Sequence, residues 1–431
     1  MLFVGLLLVF VLDYTRPDQF FPFIIQLKLY SLIPLSVFAA SLIVESRNPN
    51  GDILGSQQGK LFIALLLLAT VSMMFSINKD QSWLIWKALL GYMFLFFMVA
   101  KLCDDVNKIK WLFVVIIGVH VWLIFQNPAL LTDPNQRTYV RNVTFLGDGN
   151  DFSLSVAIAL PMCLYLFQSS RSFLGKLIWV MAAIVLLGAV MGTQSRGAAL
   201  AIIAIVFYLW TLSQKKGVGV VMIVGGLLVV MAVASETYIT RMQTLTTYQE
   251  DGSAMGRITA WKGGIQMAND RPLTGMGPGT FSIAFGSRYA PPGWPPLTAH
   301  SVYFLTLGEL GYPGLLLLLW LLWTLFRDNQ RTIKAIPLDG DPVKLEYRRL
   351  MVAVTGSLIA FAVAGGFLSV LYYPHLYVIA GIIFAARRVY LLDCPKTGEN
   401  AVEAVPVSPR EARRSRASSG RATRRKRHTS S

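Results

Sequence analysis

The stretch ETYITRMQTLTTYQEDGSAMGRITAWKGGIQMANDRPLTGMGPGTFSIAFGSRYAPPGWPPLTAHS, residues 236–301, decides how this chain is read. It is polar and turn-rich, and it stands between two groups of long apolar runs. It closes on Ala299-His300-Ser301, just as the next apolar run begins. Inside it lie Arg257, Trp261, Arg271 and the turn Gly275-Met276-Gly277-Pro278-Gly279. Everything on either side has the character of membrane scaffold. Any chemistry is therefore expected where this loop meets the bilayer surface.

The flanking runs set the fold class. Of 431 residues, 54% are hydrophobic and 14% are charged, against roughly 25% charged in a soluble domain. Crossing a bilayer takes about 20 mostly apolar residues in a helix. Apolar runs fall at about 2–12, 20–44, 60–77, 82–101, 109–126, 151–168, 174–193, 197–213, 217–235, 300–326, 349–369 and 371–391. The dyad alternation of a membrane β-barrel is absent, so these segments are predicted to be helices. The expected architecture is an all-α polytopic membrane protein of about twelve spans. Residues 1–235 carry the first nine, 236–299 form a long loop with short helices, and 300–392 carry the last three. Residues 393–431 form a basic, disordered tail.

Charge orients the bundle. Lys and Arg residues from Arg47 to Arg388 fall in every second connection, and the positive-inside rule then puts both termini in the cytoplasm. Residues 127–150, 193–197, 236–299 and 370–375 are placed outside. Those outer connections hold Arg137, Arg141, Arg196, Arg241, Arg257, Arg271 and Arg288, with Lys262 their one lysine. Arginine suits bidentate recognition of phosphate or carboxylate. Residues 396–431 hold ten Lys/Arg against three Glu, and so carry +7 of the net +16. Attraction of this tail to anionic lipid is the simpler account, and nucleic-acid binding is not expected. Cys103, Cys163 and Cys394 imply neither a disulfide framework nor a CxxC site.

Each outer residue has a chemical and a plain reading. Arg196 sits in a tight turn, Gln194-Ser195-Arg196-Gly197, at membrane level. It either snorkels to headgroups or clamps phosphate. Arg257, Trp261 and Ile265 share a helical face. With Arg257 in the first turn of its helix, the segment is either an anion site beside free amides or a surface helix packed by Trp261. The glycine turn after Arg271 lacks a preceding strand, so it is no dinucleotide fingerprint; it reads as a tight loop over the membrane face. His300 opens a helix after the stiff Pro291-Pro292-Gly293-Trp294-Pro295-Pro296 segment. A histidine, with an ordinary pKa of about 6.5, suits general-base work there. Glu309 lies two turns further on, inside a span, where an acid demands a partner. His375, among Tyr372, Tyr373 and Pro374, is either a supporting polar group or part of an aromatic belt. Gly188 and Gly192 read as a close-packing pair. No metal-ligand spacing is present, so no catalytic metal and no cofactor are expected.

Taken together, Ser195-Arg196-Gly197, Arg257…Trp261…Asp270-Arg271-Pro272-Leu273-Thr274-Gly275, and Ala299-His300-Ser301 followed by Gly308-Glu309-Leu310-Gly311-Tyr312-Pro313-Gly314 resemble the O-antigen ligase and polymerase superfamily. The run from Tyr248 to Arg257 is similar to O-glycosylation ligases of exosortase A systems. The resemblance implies a GT-C-like, metal-independent glycosyltransferase in a bacterial inner membrane with its site on the periplasmic face. Its donor would be a glycan on undecaprenyl pyrophosphate. Its acceptor would be lipid A core oligosaccharide, another glycan or a protein hydroxyl. By the same resemblance Arg196 and Arg257 would hold the pyrophosphate, Arg271 would be a further candidate for that anion, and His300 would take the acceptor's proton. Trp261, Glu309 and His375 would support them. Where many ligases carry Asn after the histidine, this chain has Ser301. A polysaccharide polymerase, a protein O-oligosaccharyltransferase and a lipid-linked glycan transporter are the rival readings. For a transporter, Lys28 and Lys87 are the candidate intramembrane charges.

Overall fold

The computed structural model describes residues 1–15, 17–19, 21, 23–133, 139–141, 145–213, 216–217 and 252–395. Among the described residues, twelve helices longer than ten residues carry the architecture: α1 Leu2–Thr15, α2 Leu29–Ile43, α3 Gln57–Met74, α4 Lys79–Leu102, α5 Val106–Gln126, α6 Gly149–Ser169, α7 Phe173–Thr193, α8 Arg196–Leu212, α9 Gly252–Asp270, α10 Val302–Ala335, α11 Pro342–Gly365 and α12 His375–Asp393. No strand occurs among the described residues. Eight of the helices (α3–α7 and α10–α12) are long and apolar enough to cross a membrane; α1, α2 and α8 are apolar but shorter. Eleven of the twelve expected segments are therefore helices. The remaining one, 217–235, lies outside the described residues from position 218 onward, as do Arg137, Arg241 and the tail from residue 396.

The helix starts are written into the sequence as caps. Ser56, Asn78, Asp105, Asp148, Ser172 and Asp341 each accept a hydrogen bond from a backbone N–H one to three positions into the helix they open. Each cap satisfies a donor that the first turn leaves without an intrahelical partner. Residues 1–390 form one compact unit. Its centre is α6 and α11. A Cβ on Gly356 of α11 would lie 3.1 Å from Pro161 Cγ of α6, and Ser357 Oγ donates to Ile158 O at 2.7 Å. Gly381 brings α12 equally close to Val99 and Phe96 of α4.

The two ends of the bundle differ in chemistry. At one end charges are paired: Arg388 with Asp52 at 3.0 Å, Arg327 and Arg387 with Asp328 at 2.8 and 3.6 Å, and Lys110 with Glu346. The opposite end gathers the C-terminal ends of α3, α7 and α11 with the N-terminal ends of α4, α6, α8, α10 and α12. The polar segment after α9 folds onto this second end.

Candidate functional site

The site is built around a break in α10. Gly311 leaves the helical region there, with φ 69° and ψ −169°, and Pro313 follows. Proline has no N–H to offer the carbonyl four residues earlier, which is Glu309 O. That oxygen accepts instead from Gly277 N at 3.0 Å, and the Ser72 hydroxyl of α3 lies 3.0 Å from it. Gly308 O accepts from Met276 N at 3.0 Å, and Tyr312 N donates to Pro272 O at 2.9 Å. The glycine-rich turn is thus the backbone partner of a broken helix. Gly275 must be glycine: its φ is +63°, and a Cβ would sit 2.3 Å from the Glu309 carbonyl carbon. The same turn is held to the α3–α4 connection through Ile77 N to Met276 O (3.1 Å) and Ser82 Oγ to Pro278 O (2.8 Å).

Glu309 completes this joint. It is buried, and its carboxylate accepts from Gly279 N at 2.7 Å, Phe281 N at 2.9 Å and Tyr372 OH at 2.8 Å. A buried acid is tolerated where it is fully hydrogen-bonded. Here all three partners are donors from two separate segments. Outside the spans, burial and then the hydrogen bond to Asp270 raise the Tyr289 phenol above its ordinary range; Tyr289 OH donates to Asp270 Oδ2 at 2.6 Å and ties the loop back to the end of α9.

His300 does not lie on the helix; α10 begins at Val302 with Ser301 as its cap. His300 has a left-handed backbone, φ 44°, unusual for any residue but glycine. It turns the proline-rich segment into the helix and is half-buried. Two contacts fix its approach. Trp261 Nε1 donates to Ala299 O at 3.0 Å, with its ring stacked on Phe304 at 5.0 Å. Thr298 Oγ1 bonds Ser369 Oγ of the α11–α12 connection. Ser301 Oγ beside it is buried with no hydrogen-bond partner among the described residues.

Arg196 is the first residue of α8 and is buried. The residue after it, Gly197, packs on Phe367, where a Cβ would be 3.4 Å from Phe367 Cβ. Phe367 is two residues from Ser369, and Ser369 holds the Thr298 next to Ala299 and His300. The Gly192 backbone approaches the Leu130 carbonyl so closely that a Cβ would be 1.9 Å from it; the Gly188–Gly192 pair seats the short helix Ala129–Thr132 beside the Arg196 turn. Arg257 lies on α9 one turn before Trp261, and a Cβ on Gly256 would lie 3.7 Å from Leu297 Cδ1. The segments carrying Arg196, Arg257 and His300 therefore meet around residues 297–303 and 364–369.

The structure corrects one local expectation. α9 begins at Gly252, so Arg257 is in its second turn, away from the free amides of the helix start. Ile265 is 41% exposed; the packed face of α9 is the small one, with Gly263 against Phe285 and Gly264 against Phe281. Arg271 stands apart from Arg257. It follows the end of α9, fourteen residues beyond Arg257, which at 1.5 Å per residue is about 20 Å. Its Nη1 donates to Phe75 O at 2.6 Å. His375 is buried at the start of α12, with Tyr14 OH 3.3 Å from its Nδ1, and Tyr373 beside it donates to Asp151 Oδ2 at 3.1 Å. Among the described residues no group of three or more His, Cys, Asp or Glu is placed to hold a metal ion. Of the intramembrane lysines, Lys87 is exposed with its Nζ 5.6 Å from the centre of the Trp83 ring, and Lys28 is an exposed residue at the start of α2.

Phe367, Ser369 and Thr298 carry no signal in the sequence, because their roles come from contacts across long separations: Thr298 with Ser369, and Phe367 with Gly197. Residues 181–319 match the family model described as O-antigen ligase. That interval runs from α7 through the broken part of α10. No curated protein matches the chain.

Proposed function

From a chain placed by residues 181–319 in the O-antigen ligase and polymerase superfamily, and thus a multi-pass membrane enzyme of the ligase or polymerase type, we propose a specific reaction. The protein transfers a glycan from undecaprenyl pyrophosphate to an acceptor hydroxyl on the periplasmic face of the bacterial inner membrane, with both termini in the cytoplasm. The acceptor oxygen attacks the anomeric carbon of the donor sugar. The bond from that carbon to the phosphate oxygen breaks, and the pyrophosphate leaves on its polyprenyl carrier. His300 receives the hydroxyl proton. Arg196 and Arg257 bind the pyrophosphate and offset the negative charge that builds on the leaving oxygen, where preorganised donors contribute most. Trp261 and Thr298 position His300; Glu309 positions the loop that leads to it.

The convergence of three distant segments supports this reading: Gly197 on Phe367, Ser369 on Thr298, and Trp261 on Ala299. Lipid A core, a protein hydroxyl or a growing polysaccharide end would each meet the chemical demand on the acceptor, and lipid A core is the one we propose.

The test is a deletion strain complemented with wild type, Arg196→Ala, Arg257→Ala or His300→Ala. Lipid-linked glycan accumulating over a bare acceptor, in the deletion and all three variants, is the expected result. Normal glycan on the acceptor in all three variants would overturn the reading.

A further inference from the structure

Arg271, separated from the proposed pyrophosphate clamp, borders a cavity of its own. The cavity is about 340 Å³ and is lined by Phe75, Arg271, Pro272, Leu273 and Thr274. Its composition is split. One wall is apolar and open: Phe75 is 60% exposed and Leu273 is 70% exposed. The other is the Arg271 guanidinium, with Nη1 fixed on Phe75 O. A guanidinium has five donors in a planar fork, so a single bond to a carbonyl fixes its position and leaves donors to face the cavity.

The support beneath is rigid. Ser72 Oγ lies 2.6 Å from Thr274 O, and Gly275 N donates to Arg271 O at 2.9 Å. Pro272 O is taken by Tyr312 N at the α10 break. The cavity lies at the end of α3 and the start of α4, on the same end of the bundle as His300. Apolar side chains left open at the mouth of a transmembrane bundle lie at the level of lipid headgroups and upper acyl chains. A cation held over them matches an amphiphile whose anionic head sits just above its chain.

We infer that this cavity is a second anion site, distinct from Arg196 and Arg257, and that it holds the phosphate-bearing headgroup of a membrane lipid, the acceptor in the proposed transfer. The assignment to the acceptor rests on the transferase reading; lipid binding at Arg271 does not. Two substrates would then engage arginines about 20 Å apart along α9, so an extended acceptor headgroup could be anchored at one end and react at the other.

The probe is dioleoyl phosphatidic acid, a phosphomonoester lipid, added to the full-length protein in detergent and read by native mass spectrometry. Dioleoyl phosphatidylcholine and inorganic phosphate serve as comparisons. One charge-assisted contact supports a preference for phosphatidic acid over phosphatidylcholine of roughly 10-fold. The Arg196→Gln/Arg257→Gln double variant should keep a phosphatidic acid preference, and adding Arg271→Gln should abolish it. Arg271→Lys, which keeps the charge, should retain part of it. An unchanged preference after Arg271→Gln would refute the site. Full displacement by millimolar inorganic phosphate would refute the lipid assignment, since the apolar wall would then contribute nothing. In cells, unimpaired transfer by Arg271→Gln would refute the acceptor role. Normal transfer by His300→Ala, with lipid preference intact, would instead sink the transferase reading and leave the lipid site standing.

Discussion

Replacing Glu309 separates two effects that are usually entangled, the cost of burying a charge and the value of the hydrogen bonds it accepts. The carboxylate holds Gly279 N–H, Phe281 N–H and Tyr372 O–H. Glu309→Leu removes the charge and leaves three donors without an acceptor. Glu309→Gln also removes the charge. Its amide oxygen, placed where Oε2 lies, still accepts from Gly279 N and Tyr372 OH, while its NH₂ faces Phe281 N–H. The Phe281 N–H and the introduced NH₂ are then left without an acceptor, two groups against three in the Leu variant. The loss of the charge is common to both variants. Each buried orphan costs about 1–3 kcal/mol, so Leu should be less stable than Gln by about 1–3 kcal/mol.

Amide hydrogen exchange over residues 276–284, in detergent or nanodiscs, measures this locally. One orphaned amide should exchange roughly 5- to 150-fold faster. The Gln variant should lose protection at Phe281 and keep it at Gly279, and the Leu variant should lose both. Transfer should fall in the same order, because the loosened turn leads into the segment that delivers His300. Equal protection at Gly279 in the two variants, or a Leu variant more stable than Gln, would refute the argument that acceptor geometry, rather than charge, holds the turn.

Three other changes test the joint and the site, and a fourth, at Gly118, is their control. Gly275→Ala puts a Cβ 2.3 Å from the Glu309 carbonyl carbon at φ +63° and should prevent accumulation of folded protein. Gly118→Ala, where a Cβ meets nothing within 4 Å, should be neutral or stabilising in the same detergent thermal-unfolding assay. Trp261→Phe keeps the stack on Phe304 but loses the bond to Ala299 O; it should cost about 1 kcal/mol of stability while reducing transfer at least several-fold, read from glycan on the acceptor. Arg196→Lys keeps the charge but not the planar fork that matches phosphate; transfer should drop by roughly 10-fold or more, at a cost of about 1.4 kcal/mol or more, with helix content unchanged by circular dichroism.

The bundle was legible because its causes are local. Apolar length sets each span and a Ser, Asn or Asp before many of them sets the cap, so eleven of the twelve expected segments coincide with helices, with ends that differ by up to nine residues. The helix start before Arg257 was missed, because Gly252-Ser253-Ala254-Met255 offers no apolar periodicity to mark it. The glycine turn was read as a plain surface loop for the same kind of reason. Its cause is the break at Gly311 and Pro313, nearly forty residues away: Pro313 has no N–H for Glu309 O, which Gly277 N fills, and Tyr312 N turns to Pro272 O, which leaves Gly308 O for Met276 N. The sequence holds both halves of that interaction, GMGPG and GELGYPG, but nothing in either half names the other. The arginines divide on the same ground. Residue type alone offered Arg196, Arg257 and Arg271 for one anion. The length of α9 sets Arg271 about 20 Å from Arg257, and its bond to Phe75 O ties it to α3. A single pyrophosphate cannot bridge that distance. If Arg271 binds an anion, that anion is not the pyrophosphate group held at Arg257, and that consequence follows from helix rise rather than from any feature of arginine.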